Sequence, residues 1–475
     1  MRVDLRLFAV EVLGKLFKRR SLVSQERYSD NLDFISVIKF MLDRLQGMRA
    51  DTLRYLDSLG FLGWQLGLER IEKLCAFWGN PHASYPVVHI AGTNGKGSTA
   101  AMMSAIGQAA GLRVGLYTSP HFAHPRERIQ INGVPISGQE FEQAIQSCRH
   151  VVDSLQATYF EVLTAIAFHW FDEQRVDLAI IETGLGGRLD ATNVVVPEVA
   201  IITSIALEHQ QYLGKTLALI AKEKAGIIKT DRPCVSGVKT KSARAVIAAE
   251  CEMKNAAFID VYAEVRRFNV QLSETGTTFR LRAARLGPDF QQYHLNLLGR
   301  HQIDNALLAI AASPILQERG LPITAAACSN GLKQVHWPGR MQLLETSPRM
   351  LVDAAHNADG MRKLARSIRA LFPQRPIKVV MSLLQDKALA QALRAWGSLQ
   401  AEIFFATAAS DRAFSSEQMR AEAQRLELLS HACATAREAF ESARASCAAE
   451  DLLCVAGSHY LIGELMEEGL LPYPY

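Results

Sequence analysis

Residues 87–111 read VVHIAGTNGKGSTAAMMSAIGQAAG, and the fold of the chain turns on this stretch. The apolar run Val87–Ala91 has the length of a buried strand, and Gly92, Gly95 and Gly97 then interrupt it. Past the glycines, Met102, Ala105, Ile106 and Ala109 recur at i, i+3, i+4 and i+7, the spacing of one helix face. Strand, glycine loop and helix in that order aim backbone N–H groups and a helix N-terminus at an anion, and Lys96 adds a point charge. The loop departs from G-x-x-x-x-G-K-[ST], because glycine follows Lys96 and no glycine stands five residues before Gly95. Gly92-Thr93-Asn94-Gly95-Lys96-Gly97-Ser98 still reads as a site for nucleotide phosphates. The plainer alternative is a glycine-rich turn with a surface lysine.

Outward from the loop, RVGLYTS (113–119), DLAIIE (177–182) and EVAIITS (198–204) are further apolar runs bounded by turn residues, with helix-period segments between them. Such alternation predicts parallel βαβ units with helices covering the sheet. Between 231 and 300 the pattern blurs, and FNVQLSETGTTFRLRA (268–283) reads as a short hairpin. A second series follows HWPGR (336–340): MLVDAAHN, IKVVMSLL, AEIFFAT and DLLCVAG. Trp337-Pro338-Gly339 breaks local structure and makes a hinge. The expected fold is α/β, with an N-terminal P-loop-type ATPase domain at 51–337, built on a mainly parallel sheet. A smaller C-terminal Rossmann-like α/β domain follows at 338–475. Residues 1–50 are an extension of unknown role, in which LRLFAVEVLGKLFKRR (5–20) suggests an amphipathic helix. Met41 or Met48 is an alternative start.

At 475 residues two domains are the natural expectation, and 49% apolar with 21% charged residues is ordinary globular composition. The balance of 52 basic against 48 acidic residues leaves +4, too weak to argue for nucleic acid. Eight scattered cysteines without a C-x-x-C pair suit reduced thiols in a cytoplasm better than a disulfide framework or zinc site. No apolar run reaches the roughly 18–20 residues of a membrane span.

Several polar residues fall where strands end. Ser119 in YTSPH (117–121) could offer its hydroxyl to a metal ion, or simply make a turn. Glu182 in IIETGLGGRLDATN (180–193) ends a buried-looking strand, a costly place for an idle carboxylate. Magnesium and phosphates would partner it; capping the turn is the alternative. His209 in ITSIALEHQQYLG (202–214) projects from the same sheet edge, as a ligand or as a packed histidine. Lys222, Glu223 and Lys224 mark a charged helix face in LALIAKEKAGIIK (217–229). Asp353, His356 and Asn357 in LVDAAHNADG (351–360), and His301, Gln302 and Asn305 in GRHQIDNALLAIAA (299–312), lie where helices begin and read equally as ordinary caps.

Taken in order, AGTNGKGS, YTSPH, TYFE (158–161), ETGLGGRLDATN, SIALEH, KEKAGI, HQxxNA, PGR and DxAHN resemble the dihydrofolate synthase/folylpolyglutamate synthase family, among the Mur-ligase-like amide ligases. The resemblance runs from about residue 51 to the C-terminus. It implies that Thr93, Asn94, Gly95, Lys96, Gly97 and Ser98 hold the ATP phosphates, with Asn305, Arg340 and Asp353 also on ATP and His356 near the nucleotide. It implies magnesium on Ser119, Glu182 and His209, and a carbamylated Lys224 that helps bind a second metal ion. The pterin side would use Ser58, Leu59 and Gly60 with Thr158, Tyr159, Phe160 and Glu161. The implied reaction is addition of L-glutamate to dihydropteroate and to reduced folates through an acyl phosphate, with Lys96, Lys224 and His356 in the catalytic machinery. A monomer is expected. The chain departs from the family where it has Glu208-His209 for Asp-His, DAAHN for Asp-Gly-Ala-His-Asn, and SPHFAHPRERI for an SPHL form. Folylpolyglutamate synthase activity alone, a peptidoglycan-type Mur ligase and a non-catalytic nucleotide binder are the competing readings. GLGGRLDATN and the lack of a recognisable UDP-sugar domain speak against the Mur ligase, and the retained loop lysine and metal ligands against the non-catalytic binder.

Overall fold

The computed structural model describes residues 50–60, 65–283 and 291–473, so the amphipathic segment and the alternative starts lie outside the described residues. The opening stretch forms β1, Val87–Ala91, and it sits in the middle of an eight-stranded sheet of order β4-β3-β2-β5-β1-β6-β7-β8. β2 (Val114–Tyr117), β5 (Leu178–Glu182), β6 (Val199–Ile202), β7 (Cys234–Ser236) and β8 (Phe258–Asp260) all run parallel to their neighbours on the β1 side. β3 (Ile129–Ile131) and β4 (Val134–Pro135) close one edge antiparallel.

Covered on both faces, β1, β5 and β6 are buried at every position, which is why they read as unbroken apolar runs. The period of two still sorts their side chains. Leu178 and Ile180 join one core with Met102 and Met103 of helix α2 (Lys96–Ala109). Ala179 and Ile181 join the opposite core with Val162 and Ile166 of α3 (Tyr159–Glu173). Helix α1 (Ala50–Gly60) reaches this second core through Leu56 and Leu59. Two more helices matter to the site: α4 (Leu217–Ala225) and the long α5 (Arg300–Glu318).

The expected short hairpin is longer than its sequence signal: β9 (Val265–Ser273) and β10 (Gly276–Ala283) pair antiparallel, and β11 (Gln291–Leu295) joins them. Phe279 and Leu281 of that small sheet merge into the first core. The pattern blurred because β9 buries only Val265 and leaves the rest of both its faces exposed or half-buried.

After Trp337-Pro338-Gly339 comes a six-stranded sheet of order β12-β13-β17-β14-β15-β16. β12 (Gln342–Leu344) is antiparallel to β13 (Arg349–Asp353), and the rest are parallel: β14 (Ile377–Met381), β15 (Glu402–Phe405), β16 (Ser430–Ala432) and β17 (Leu452–Ala456). Helices α6 (Ala358–Leu371) and α7 (Leu389–Gly397) cover one face, and α8 (His459–Glu467) lies on the other. The two sheets thus have separate cores.

One aromatic ring joins them. Phe122, from the segment after β2, packs against the core that α8 shares with the six-stranded sheet and stacks on His459 at 5.3 Å between ring centroids. Its seat is cut to fit: a Cβ on Gly463 would lie 2.1 Å from the Phe122 carbonyl oxygen, and one on Gly339 2.4 Å from its ring. No helix among the described residues is long and apolar enough to cross a membrane, and all eight cysteines are unpaired.

Candidate active site

Register fixes the site. Ile90 pairs with Glu182 and Ala91 with Ile202, so the glycine loop, Glu182 and the 203–209 segment leave the same carboxyl edge of the sheet. The loop is fastened to the end of β6. The Thr93 N–H donates to the Ser204 carbonyl at 2.8 Å, the Asn94 N–H to Ser204 Oγ at 3.0 Å, and Thr203 Oγ1 donates to the Asn94 carbonyl at 2.8 Å. Close fit explains two glycines. Gly92 has φ +153°, and a Cβ there would lie 1.9 Å from Thr203 Oγ1. Gly95 is the N-cap of α2 at φ +92°, with Asn305 Oδ1 2.3 Å from where a Cβ would be. The first N–H groups of α2 point onward without intrahelical partners, as an anion requires.

A cavity of about 560 Å³ opens at this edge. Thr93, Asn94, Gly95, Lys96, Gly97 and Ser98 line it, together with Ser119, Glu182, His209 and Asn305 from the first domain. Arg340, Asp353 and His356 line it from across the hinge. Lys96 Nζ lies 3.7 Å from Glu182 Oε1, and the Ser119 N–H donates to Glu182 Oε2 at 3.3 Å. Burial pushes the Glu182 carboxyl up, against the opposing pull of Lys96, the Ser119 N–H and Arg340. Asp353 ends β13 and accepts the N–H groups of Met341 and Ala355, each at 2.8 Å, which holds the turn carrying His356.

Lys224 sits beneath the loop rather than in the cavity wall, and its Nζ donates to the Gly92 carbonyl at 2.9 Å. Burial, with Lys96 nearby, pulls its ammonium down to about 7. Burial likewise brings His209 down to about 4, so its ring is neutral at pH 7, as a ligand must be.

The pterin-side residues distribute differently. Phe160 lines the cavity and its ring lies where a Gly184 Cβ would be, at 2.6 Å. Thr158 and Glu161 are buried and form a capping box on α3, with Glu161 paired to Arg70 at 3.0 Å. Neither they nor Tyr159 lines the cavity, although Arg128 lies over the Tyr159 ring at 5.4 Å. Ser58, Leu59 and Gly60 also stand apart from it: Leu59 is core, Ser58 Oγ donates to the Tyr55 carbonyl, and Gly60 faces open space.

Other lining residues carried no sequence signal strong enough to single out. Arg128 sits in the SPHFAHPRERI segment and donates through Nε to His121 Nδ1 at 2.9 Å. Lys239 lies over the Tyr262 ring at 4.7 Å and pairs with Asp304 at 2.7 Å. Glu208 became a bridge. Its Oε1 is 3.1 Å from Lys387 Nζ, 3.2 Å from Asn357 Nδ2 and 3.5 Å from His356 Nε2, all from the second domain. Burial works to raise this carboxyl, but His356 and Lys387 outweigh it and hold it well below the usual carboxylate range. Asn94 adds to the bridge, accepting from Asn357 Nδ2 and donating to Asp359 Oδ2, both at 2.9 Å.

Whether these residues suit magnesium is a question of donor chemistry. Among the described residues no three His, Cys, Asp or Glu side chains converge as a full cage. A buried carboxylate, a hydroxyl and a neutral imidazole on one cavity suit instead an ion that keeps several waters and leans on substrate phosphates. The set fits Mg²⁺.

A phosphate loop at a parallel sheet edge, a buried carboxylate beside its lysine, and a second α/β domain closing over both define an ATP-dependent ligase of the Mur type. Residues 90–313 match the Mur ligase middle domain and residues 339–459 the Mur ligase glutamate ligase domain. More narrowly, the chain belongs to the dihydrofolate synthase/folylpolyglutamate synthase family. It is 38% identical over 353 residues to the dihydrofolate synthase/folylpolyglutamate synthase of Bacillus subtilis, covering 73% of this chain and 82% of that one. It is 31% identical over 420 residues to the Escherichia coli enzyme of the same name, covering 88% and 94%. Among solved structures, Mycobacterium tuberculosis folylpolyglutamate synthase complexed with ADP superposes with a TM-score of 0.80 at 31% identity, covering 89% of this chain and 99% of that one. E. coli FolC in complex with DHPP and ADP gives 0.77 at 30%, covering 88% and 97%.

Proposed function

We propose that this chain joins L-glutamate to dihydropteroate, forming dihydrofolate, and to reduced folates, lengthening their glutamate tails, with ATP as the energy source. The observation that carries the reading is the meeting of Lys96 and Glu182 with Arg340, Asp353 and His356 on one cavity shared by both domains. A carboxylate is a poor electrophile, so its oxygen first takes the γ-phosphoryl group of ATP, and ADP leaves. Lys96 and the N–H groups at the start of α2 hold the phosphates and stabilise charge during that transfer. Bound on Ser119, Glu182 and His209, Mg²⁺ would neutralise phosphate charge and polarise the transferred group. The glutamate amine then attacks the acyl carbon, and inorganic phosphate leaves with the C–O bond electrons. Arg340 and Asp353, arriving from the second domain, complete the nucleotide site, and closure keeps water from the acyl phosphate.

We assign the domain boundary to 337/338, within the segment between the two sheets. Phe160 is assigned to the pterin end of the substrate, with Thr158, Tyr159 and Glu161 shaping its turn and Ser58-Leu59-Gly60 on the approach. Lys224 is assigned to carbamylation: an amine drawn down to about 7 has a free lone pair near neutral pH. ADP release measured with dihydropteroate and glutamate, each omitted in turn, tests the whole reading. Release is expected only with both present. If tetrahydrofolate supports turnover and dihydropteroate does not, the first activity is absent and tail lengthening alone remains.

A further inference from the structure

Six lysines and arginines line the catalytic cavity, and most of them already face an acid. Lys96 lies 3.7 Å from Glu182, Lys239 pairs with Asp304 at 2.7 Å and Lys363 with Asp359 at 2.7 Å. Arg340 is attracted by Asp353 and Glu182. Two cations remain. Arg128 stands over the Tyr159 ring and donates to His121, and Arg412 donates to the Tyr460 hydroxyl. Among the described residues neither forms an ion pair with an acid. They come from opposite walls: Arg128 from the first domain, on the side of Tyr159 and Phe160, and Arg412 from the second.

The backbone that carries Arg412 is fixed although its side chain is exposed. It lies on the loop after β15, at the carboxyl edge of the second sheet. Leu384 and Ala413 form an antiparallel bridge there, and the Gln385 N–H donates to the Arg412 carbonyl at 2.8 Å. The contact to the Tyr460 hydroxyl is long, at 3.4 Å, and leaves most of the five guanidinium donors for a ligand. Tyr460 follows His459, whose ring lies 5.5 Å from that of His356. Both histidines are half-buried while Tyr460 and Arg412 are exposed, so Arg412 stands at the outer rim of the wall that His356 and His459 form deeper in.

We infer that Arg412 holds the side-chain carboxylate of the incoming L-glutamate and so makes a dicarboxylic amino acid the preferred nucleophile. The inference rests on the ligase reading above and gives that reaction a specificity-determining residue. Division of the walls supports it. The phosphates belong to the glycine loop and the acceptor to the Phe160 side, which leaves the second-domain wall for the third substrate. Reach supports it as well. The attacking nitrogen has to meet the acyl carbon beside Lys96 and Glu182, and the α-carboxylate, on the same carbon as the amine, stays deep with it. The side-chain carboxylate lies about 4 Å further out along an extended side chain, toward the rim. A guanidinium fork takes a carboxylate through two parallel N–H bonds, a geometry that an ammonium cannot copy.

The test compares the full chain with its Arg412→Gln variant. KM for L-glutamate is expected to rise on the order of tenfold, with KM for ATP and for the acceptor moving by less than about twofold. Hydroxylamine then separates the two chemical steps. It attacks the acyl carbon in place of glutamate, inorganic phosphate leaves, and the hydroxamate that forms is measured. Because hydroxylamine carries no carboxylate, hydroxamate formation is expected to persist in the variant. An unchanged KM for glutamate in an active wild type and variant overturns the inference and leaves the ligase reading standing. A loss of hydroxamate as deep as the loss of glutamate ligation also overturns it, because Arg412 then serves ATP or the acceptor. A wild type that releases no ADP with glutamate and either acceptor removes the ligase reading and this inference together. If circular dichroism shows Arg412→Gln unfolded, Arg412→Lys, which keeps the charge and loses the fork, carries the same comparison.

Discussion

Lys96 and Lys224 are two cations on the two sides of one loop, and their surroundings give them different work. Lys96 faces the cavity beside Glu182, where the proposed reading puts the phosphates. Lys96→Ala is expected to reduce glutamate-dependent ADP release at least a thousandfold on the order-of-magnitude scale of lost phosphate contacts, while the circular dichroism spectrum is retained. Lys224 is buried under the loop with its ammonium drawn down to about 7. A lowered lysine pKa means that raising the pH frees the amine: about one-tenth is unprotonated at pH 6 and about nine-tenths at pH 8. Only the free amine adds carbon dioxide. Activity is therefore expected to fall in carbon-dioxide-depleted buffer and to recover with bicarbonate, more fully at pH 8 than at pH 6. Identical activity with and without bicarbonate at both pH values removes Lys224 from the mechanism.

At the level of elements, α3 shows how a motif can serve the site without entering it. TYFE forms the start of the helix: the Thr158 hydroxyl accepts the Glu161 N–H while the Glu161 carboxylate accepts the Thr158 N–H at 2.8 Å. Only Phe160 of the four reaches the cavity. Thr158→Val is expected to cost about 1–2 kcal/mol of stability in a urea titration, because it strips a buried cap. Its effect on ATP affinity should be small. Strands and the glycine loop were legible in the sequence because β1, β5 and β6 are buried on both faces and their apolar runs stop sharply, at a glycine, an acid and a Thr-Ser pair in turn. Arg128, Lys239 and Tyr262 were not legible. They come from edge and loop segments with ordinary polar composition, and only tertiary packing turns them toward the cavity. Lys224 lay in a helix whose charges looked like a solvated face, yet α4 buries it.

Across the whole molecule, two α/β domains meet at a cavity that neither completes alone. Glu208 is the principal tie, a carboxylate of the first domain held by Lys387, Asn357 and His356 of the second. The sequence displayed Glu208 as a departure from a family Asp, but its partners lie 148 or more positions away and leave no local trace. Glu208→Gln keeps the shape and removes the charge, leaving the largely buried Lys387 with Asp386, also at 3.1 Å, as its remaining counter-ion. Loss of a bridging charge of this kind is expected to lower kcat on the order of tenfold and to raise KM for ATP. Small-angle scattering with nucleotide bound should then show a larger radius of gyration than the wild type, and an unchanged radius would sink the bridging role.

Phe122 adds a different contribution to the same junction. Its ring fills a seat left open by Gly339, with Gly463 against its backbone carbonyl, so parting the domains withdraws an aromatic group from apolar surroundings into water. Newly wetted apolar surface raises the heat capacity, and a step that does so has an activation enthalpy that changes with temperature. If opening limits turnover, the logarithm of kcat bends when plotted against reciprocal temperature. Phe122→Ala should straighten that plot. The seat beneath one ring would then act as a thermal governor on how often the enzyme releases its product.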